Sequence, residues 1–240
     1  MRLMGFRSST AVGIALAFSA FLSTASATTI GQLSEANCAG GGVIVSATSL
    51  DWTLPTGGPD GCIVTGIGTN VNYGSGVLLP ATFGRILDLP ATPPGLPLAG
   101  FMTFNSGPGA TNPGLFFDLT ALGPGSASLT CAAPIGSSCS TFAGSPFILT
   151  RTATGTSVAL SAVGNIRVNA TAVGTWSGAY TTQLPGRTPE QVIANINSGG
   201  SETSTQSGAF ITTIPEPGTI SLSLIGGLLV AFAVKRRTQA

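Results

Sequence analysis

Ser157-Val158-Ala159-Leu160-Ser161-Ala162-Val163, followed after Gly164-Asn165 by Ile166-Arg167-Val168-Asn169-Ala170-Thr171, is the stretch that decides the fold class. In the first segment Val158, Leu160 and Ala162 alternate with small residues. In the second, Ile166, Val168 and Ala170 face one way and Arg167, Asn169 and Thr171 the other. Alternation with a period of two marks an extended strand with one buried and one wet face. Both segments are therefore expected to be strands of an antiparallel sheet.

Outward from this stretch the same signal recurs in shorter form. Gly42–Thr48, Ile63–Tyr73, Phe83–Leu89, Phe101–Phe104, Leu115–Leu119, Ser126–Cys131, Trp176–Thr182 and Phe210–Ile214 are strand candidates. Gly, Pro, Asn and Asp punctuate them at intervals of about ten residues. That spacing predicts an all-β body, an antiparallel sandwich of jelly-roll-like type. A β-solenoid would need a fixed repeat, and none is found. One short helix is expected after Thr188-Pro189-Glu190-Gln191. Threonine is the N-cap, proline holds the first helical position and glutamine lies three after the cap. Val192, Ile193 and Ile196 give it an apolar stripe, and Gly199-Gly200 end it. Ser198–Ser207 then reads as a polar loop or stalk.

Composition narrows the class of protein. Of 240 residues only 7% are charged, against about 25% in an average soluble domain. There are 34 Gly and 16 Pro, yet 43% of the chain is apolar, whereas disordered chains are apolar-poor and charge-rich. Between Thr28 and Ile214, four arginines face seven acids, with no lysine. A nucleic-acid partner needs a basic face and is not expected. The chain has no histidine, which removes the commonest general base and metal ligand together.

Both ends carry the marks of targeting segments. Arg2 and Arg7 precede an apolar run, Ala11 to Leu22, and the small-x-small triplet Ala25-Ser26-Ala27. Residues 1–27 read as a signal peptide cleaved before Thr28 by signal peptidase after passage through the Sec translocon. The rival reading, an uncleaved anchor, needs a longer span of about 20 residues. At the other end Pro215-Glu216-Pro217 is followed by an almost wholly apolar stretch and by Lys235-Arg236-Arg237. Residues 219–234 as a helix would reach about 24 Å at about 1.5 Å per residue, slightly short of a ~30 Å hydrocarbon core. Snorkelling by the basic residues compensates, and they favour the cytoplasmic side. The expected organisation is signal peptide 1–27, exported body 28–214, and a C-terminal module 215–240 with a transmembrane helix and a stop-transfer tail.

That module resembles the PEP-CTERM sorting signal of Gram-negative bacteria: motif, helix and basic end in this order at the extreme C-terminus. The resemblance implies removal of the helix and tail near Pro215-Glu216-Pro217 by an exosortase, a membrane-embedded cysteine transpeptidase. It implies a cell-surface or biofilm-matrix destination, with exopolysaccharide as a partner. Two prolines hold the motif extended. Leu54-Pro55-Thr56-Gly57-Gly58 looks like a Gram-positive sortase signal, but it lacks a residue between Pro and Thr and lies inside the body. Ser145–Thr150, Thr156–Val158 with Ser161–Gly164, Trp176–Gln183 and Thr188–Gln191 resemble the body shared by many PEP-CTERM proteins, mainly over Cys131 to Ile214, which bears on architecture more than function.

Cys38, Cys62, Cys131 and Cys139 all lie in the exported part. Four cysteines allow three pairings. Local pairing, Cys38–Cys62 and Cys131–Cys139, is favoured, because each loop holds turn formers: Gly40-Gly41-Gly42 with Gly57-Gly58-Pro59, and Pro134-Ile135-Gly136. A metal site is disfavoured without C-x-x-C spacing or histidine.

Chemical sites are sparse. Asp51, Asp60, Asp88, Asp118 and Glu190 occur singly, unlike the facing pair that glycoside hydrolysis requires. Calcium binding through Asp51, Asp60 or Asp118 has no acidic loop behind it. Asn169-Ala170-Thr171 has the glycosylation pattern but reads as strand. Trp52, Trp176 and Tyr180 could stack on sugars. The expectation is a non-enzymatic surface or matrix protein without cofactor or metal; the alternative is a secreted carbohydrate-binding or adhesive module using exposed aromatics.

Overall fold

The computed structural model describes residues 28–46, 49–54, 60–73, 77–89, 95–106 and 114–214. These residues form fifteen strands and one helix. In chain order they are β1 (Thr28–Asn37), β2 (Gly42–Val45), β3 (Leu50–Thr53), β4 (Asp60–Thr65), β5 (Asn70–Asn72), β6 (Val77–Leu78) and β7 (Phe83–Leu87). Then come β8 (Leu98–Ser106), β9 (Leu115–Leu122), β10 (Ser138–Cys139), β11 (Phe147–Arg151), β12 (Gly155–Val168), β13 (Thr171–Pro185), α1 (Pro189–Asn197), β14 (Glu202–Ser204) and β15 (Gln206–Ile214). The expected all-β class with one short helix is what the described residues adopt.

The sandwich expectation is corrected. Eight strands pair in the circular order β1-β4-β7-β8-β9-β12-β13-β15. Two contacts close the ring: β9 pairs antiparallel with β12 from Leu115↔Val168 to Leu122↔Ala162, and β15 lies beside β1. At this seam Thr212 Oγ1 donates to the Gly31 carbonyl at 3.0 Å. The Gln206 N–H donates to Asn37 Oδ1 at 2.7 Å. The eight strands follow one another around the ring in chain order, which makes an up-and-down barrel. Alternation marks an inner face in a barrel and a sandwich alike. The difference lies in non-local pairings that no local pattern encodes. Register shifts at Ile166/Arg167, Val163/Gly164 and Phe83/Gly84 bend the strands towards closure.

The stretch that decided the class keeps its period. From Thr156 to Ile166 every even-numbered residue of β12 is buried. Strand character ends at Val168, however. Asn169 takes φ +55°, and Asn169-Ala170 form the two-residue turn between Val168 and Thr171. Asparagine tolerates this left-handed backbone better than most residues. The expected strand Ile166–Thr171 is therefore half strand and half hairpin tip, with the glycosylation-like triplet exposed.

Other expectations shift for local reasons. Ser126–Cys131 forms no strand. Its backbone is captured by hydroxyls, with Ser126 N–H donating to Ser140 Oγ at 2.6 Å and Ser128 N–H to Ser126 Oγ at 3.2 Å. Serine hydroxyls compete with a ladder in this way. Ile63–Tyr73 breaks at a turn after Gly66, where Ile67 is exposed. Ser198–Ser207 is no stalk: it contains β14, which pairs with β2, and the start of β15.

The barrel interior is aromatic. Phe104, Phe117, Trp176, Phe210, Tyr180 and Trp52 form a continuous chain of rings, with neighbouring centroids 4.9–6.4 Å apart. Edge-to-face contacts of this kind add about 0.5–1.5 kcal/mol each beyond burial. Small residues make the room. A side chain at Gly164 would collide with the Asp118 carbonyl and the Trp176 indole. Trp52 belongs to the small sheet β14-β2-β3, yet its ring lies 5.7 Å from Phe101 and is 1% exposed. Beyond the part of β12 that pairs with β9, its edge is taken over by β11, from Phe147↔Leu160 to Arg151↔Thr156. There Val158 and Leu184 continue the inward face and are covered by Leu149, Val192 and Ile196.

The helix has the expected cap. Gln191 N–H donates to Thr188 Oγ1 at 3.4 Å and Thr188 N–H to Gln191 Oε1 at 2.9 Å, a reciprocal capping box. Gly199 follows at φ +85°.

Candidate functional site

All four cysteines are bridged, Cys38 to Cys62 and Cys131 to Cys139. The first bridge ties the residue after β1 to β4, its neighbour in the ring. The second closes an eight-residue separation beside the buried Cys139. Pro215, Glu216 and Pro217 of the expected sorting motif, Lys235, Arg236 and Arg237 of the expected stop-transfer tail, Ala25 and Ala27 of the expected cleavage site, and the expected helix over 219–234 lie outside the described residues. Thr28 is the first residue of β1. Pro55 to Gly58 of the sortase-like stretch also lie outside.

The acidic residues have structural partners. Arg85 meets Asp60 at 3.2 Å. Arg151 grips both oxygens of Glu190 at 2.5–2.6 Å, tying β11 to the first turn of α1. Arg167 holds Asp118 bidentately, 2.8 Å at Nη2, and Gly100 N–H adds a third bond at 2.6 Å. Arg187 lies 3.9 Å from Glu202. Each of the four body arginines thus faces one acid, which leaves no free basic stripe among them. Burial raises Asp118, but the Arg167 guanidinium and the Gly100 amide outweigh it and hold the carboxyl below its ordinary range. Asp88 accepts the Trp52 N–H at 2.8 Å; burial pushes its carboxyl up. Asp51 and Asp60 lie close enough to Asp88 to add to this rise by like charge. Among the described residues no three His, Cys, Asp or Glu side chains gather where a metal ion could be held.

The aromatics proposed for sugar stacking are core. Trp52 and Trp176 are 1% exposed and Tyr180 is 4% exposed. Trp176 Nε1 donates to the Asp118 carbonyl at 3.0 Å, and Tyr180 Oη donates to Met102 Sδ at 3.0 Å. None offers a face to a glycan.

The most unusual ionisable group has no motif around it in the sequence. Glu35 is buried on β1, and Gln206 Nε2 donates to its Oε2 at 3.1 Å across the barrel seam. Its other oxygen, Gln206 Oε1 and Trp52 Nε1 are buried without a protein partner. Burial pushes the Glu35 carboxyl up to about 8, the Gln206 bond opposing only in part. The same burial, with Glu35 adding to it, pushes the Tyr180 phenol up. Glu35 is thus a neutral acid over most of the physiological range. Its one legible signal was a lone charge among small polar residues in a chain with few charges.

Comparison with protein-family models, with curated proteins and with solved structures gives no match. The functional reading therefore rests on the residues themselves.

One concavity stands out. A cavity of about 140 Å³ lies between the small sheet, β11, α1 and the ends of β12 and β13. Its walls are mostly apolar, and Val45 and Phe147 pack against both this region and the barrel core.

Proposed function

We propose that the chain is an exported, non-enzymatic surface or matrix protein whose C-terminal module is processed by an exosortase-like transpeptidase. The observation that carries this reading is the complete bridging of the four cysteines in the body between the two targeting segments. Disulfides persist in oxidising, extracytoplasmic surroundings. In this account residues 1–27 direct export through the Sec translocon, residues 219–234 halt in the membrane, and Lys235, Arg236 and Arg237 remain on the cytoplasmic side.

The fold supports the account in two ways. The compact barrel unit runs Thr29–Ile214, so cuts before Thr28 and near Pro215-Glu216-Pro217 would leave every barrel strand whole. The barrel interior is filled by rings and aliphatic side chains, as suits a structural or binding role. Surface aromatics for a glycan are not provided by Trp52, Trp176 or Tyr180, which weakens the carbohydrate-stacking alternative.

Replacement of Pro215, Glu216 and Pro217 by alanine tests the reading. Intact mass of wild-type protein from the cell envelope is expected to lack both terminal segments and four cysteine hydrogens. The variant is expected to keep its C-terminal segment and fractionate with the membrane. Equal maturation of the two proteins would overturn the proposal.

A further inference from the structure

We propose that the cavity beneath α1 is a binding site for a small molecule with a short alkyl or aryl chain and a hydrogen-bond-donating, uncharged end. The site is built from separate parts of the chain. Leu50 comes from β3, Phe147 and Leu149 from β11, Val158 from β12, Leu184 from β13 and Val192 from α1. With Val45 from β2, Leu122 from β9 and Glu202 from β14, side chains from eight elements line about 140 Å³. A cavity of roughly 150 Å³ lined by Leu, Ile and Phe takes up one benzene ring, so one ring or about six chain carbons fit this one.

The polar part of the wall selects the end group. Ser49, Thr141, Asn197 and Glu202 line the cavity beside the partly exposed Phe142. Glu202 is the only charged residue in this lining. It is 7% exposed, accepts from Asn195 Nδ2 at 2.9 Å, and has Arg187 no nearer than 3.9 Å. A carboxylate retains unused acceptor sites after one such bond. A hydroxyl can donate to it. A carboxylate-headed ligand would bring like charge into a poorly solvated wall, which is unfavourable. The site therefore prefers an alcohol or phenol to a short fatty acid of the same length.

The position fits a ligand site rather than a packing flaw. The cavity lies where the face of β12 continues past its pairing with β9, between α1, β11 and the small sheet. Ligand sites recur at the mouths of β-barrels, with a mostly apolar lining and a few placed polar groups.

The test uses the exported protein with its disulfides intact and three probes of equal chain length: 1-hexanol, hexanoate and hexane. Methyl NMR with 1-hexanol is expected to shift Leu149, Val158, Leu184 and Val192 selectively, with Kd of about 1 mM or tighter. Hexanoate is expected to bind about tenfold more weakly at neutral pH, and Glu202→Gln to shrink that gap. Val158→Phe fills the cavity and is expected to abolish the shifts; Leu184→Phe serves the same purpose should the first variant unfold. No selective shift in the wild-type protein with any probe overturns the site. Hexanoate binding as well as hexanol, or hexane alone binding, overturns the assigned end group. Unchanged hexanol binding in a folded, filled variant overturns the location.

Discussion

Gln206 donates its side-chain amide to the buried carboxyl of Glu35 at 3.1 Å, although 171 residues separate them in the chain. The bond crosses from β15 to β1, the seam where the barrel closes. With Glu35 held up to about 8, the folded state binds a proton that the unfolded chain, near 4.5, has already released. The stability contribution is complete below about pH 4.5 and is lost as pH rises towards about 8. At about 1.4 kcal/mol per pH unit the total is on the order of 5 kcal/mol. Urea unfolding between pH 5 and 8 is expected to show this decline, and Glu35→Gln to flatten it. A wild-type stability that does not fall across that range would contradict the buried neutral acid.

Trp176 reaches the Asp118 carbonyl only because Gly164 has no side chain. Gly164→Ala would place a methyl carbon where the carbonyl oxygen already stands. Overpacking of this kind costs about 1–3 kcal/mol, read as a lower urea midpoint. The lost indole bond is expected to alter Trp fluorescence as well.

Asp118 links Arg167 on β12 to the Gly100 amide on β8. Asp118→Ala leaves the Gly100 amide without an acceptor and the Arg167 guanidinium without its counter-charge, with only the Asn169 carbonyl at 2.7 Å retained. The expected loss is about 2–4 kcal/mol by chemical denaturation. Arg167→Ala is expected to cost less, because the carboxyl keeps its bond to Gly100.

The two bridges differ in the chain they close, with separations of 24 and 8 residues. In the chain-entropy account they contribute about 3.5 and 2.5 kcal/mol. Replacing Cys38 and Cys62 together by alanine is expected to lower stability more than replacing Cys131 and Cys139. Thermal midpoints of the two double variants decide the order.

Much of this architecture is legible in the order of the residues. The alternation through Ser157–Val163 located the longest hairpin, and Thr188-Pro189-Glu190-Gln191 located the helix with its cap. The local cysteine pairing also emerged, because short loops rich in glycine and proline bring their ends together. β1 escaped notice because its buried positions include Glu35, a charge where periodicity expects a hydrophobe. β3 has only four residues, too few for a period to show. The cavity had no sequence signal at all, since Leu50, Val158 and Val192 are ordinary core residues until eight elements assemble around the space between them.

Local chemistry alone determined the strand class, the capped helix and the turn-rich texture, because each depends on neighbours a few residues apart. Only the tertiary structure decided between barrel and sandwich, buried Trp52, Trp176 and Tyr180, and set Glu35 against Gln206. Those outcomes depend on which distant strands meet. Here β9 meets β12 and β15 meets β1, and the pairings are selected by the packing of one shared interior rather than by any single segment.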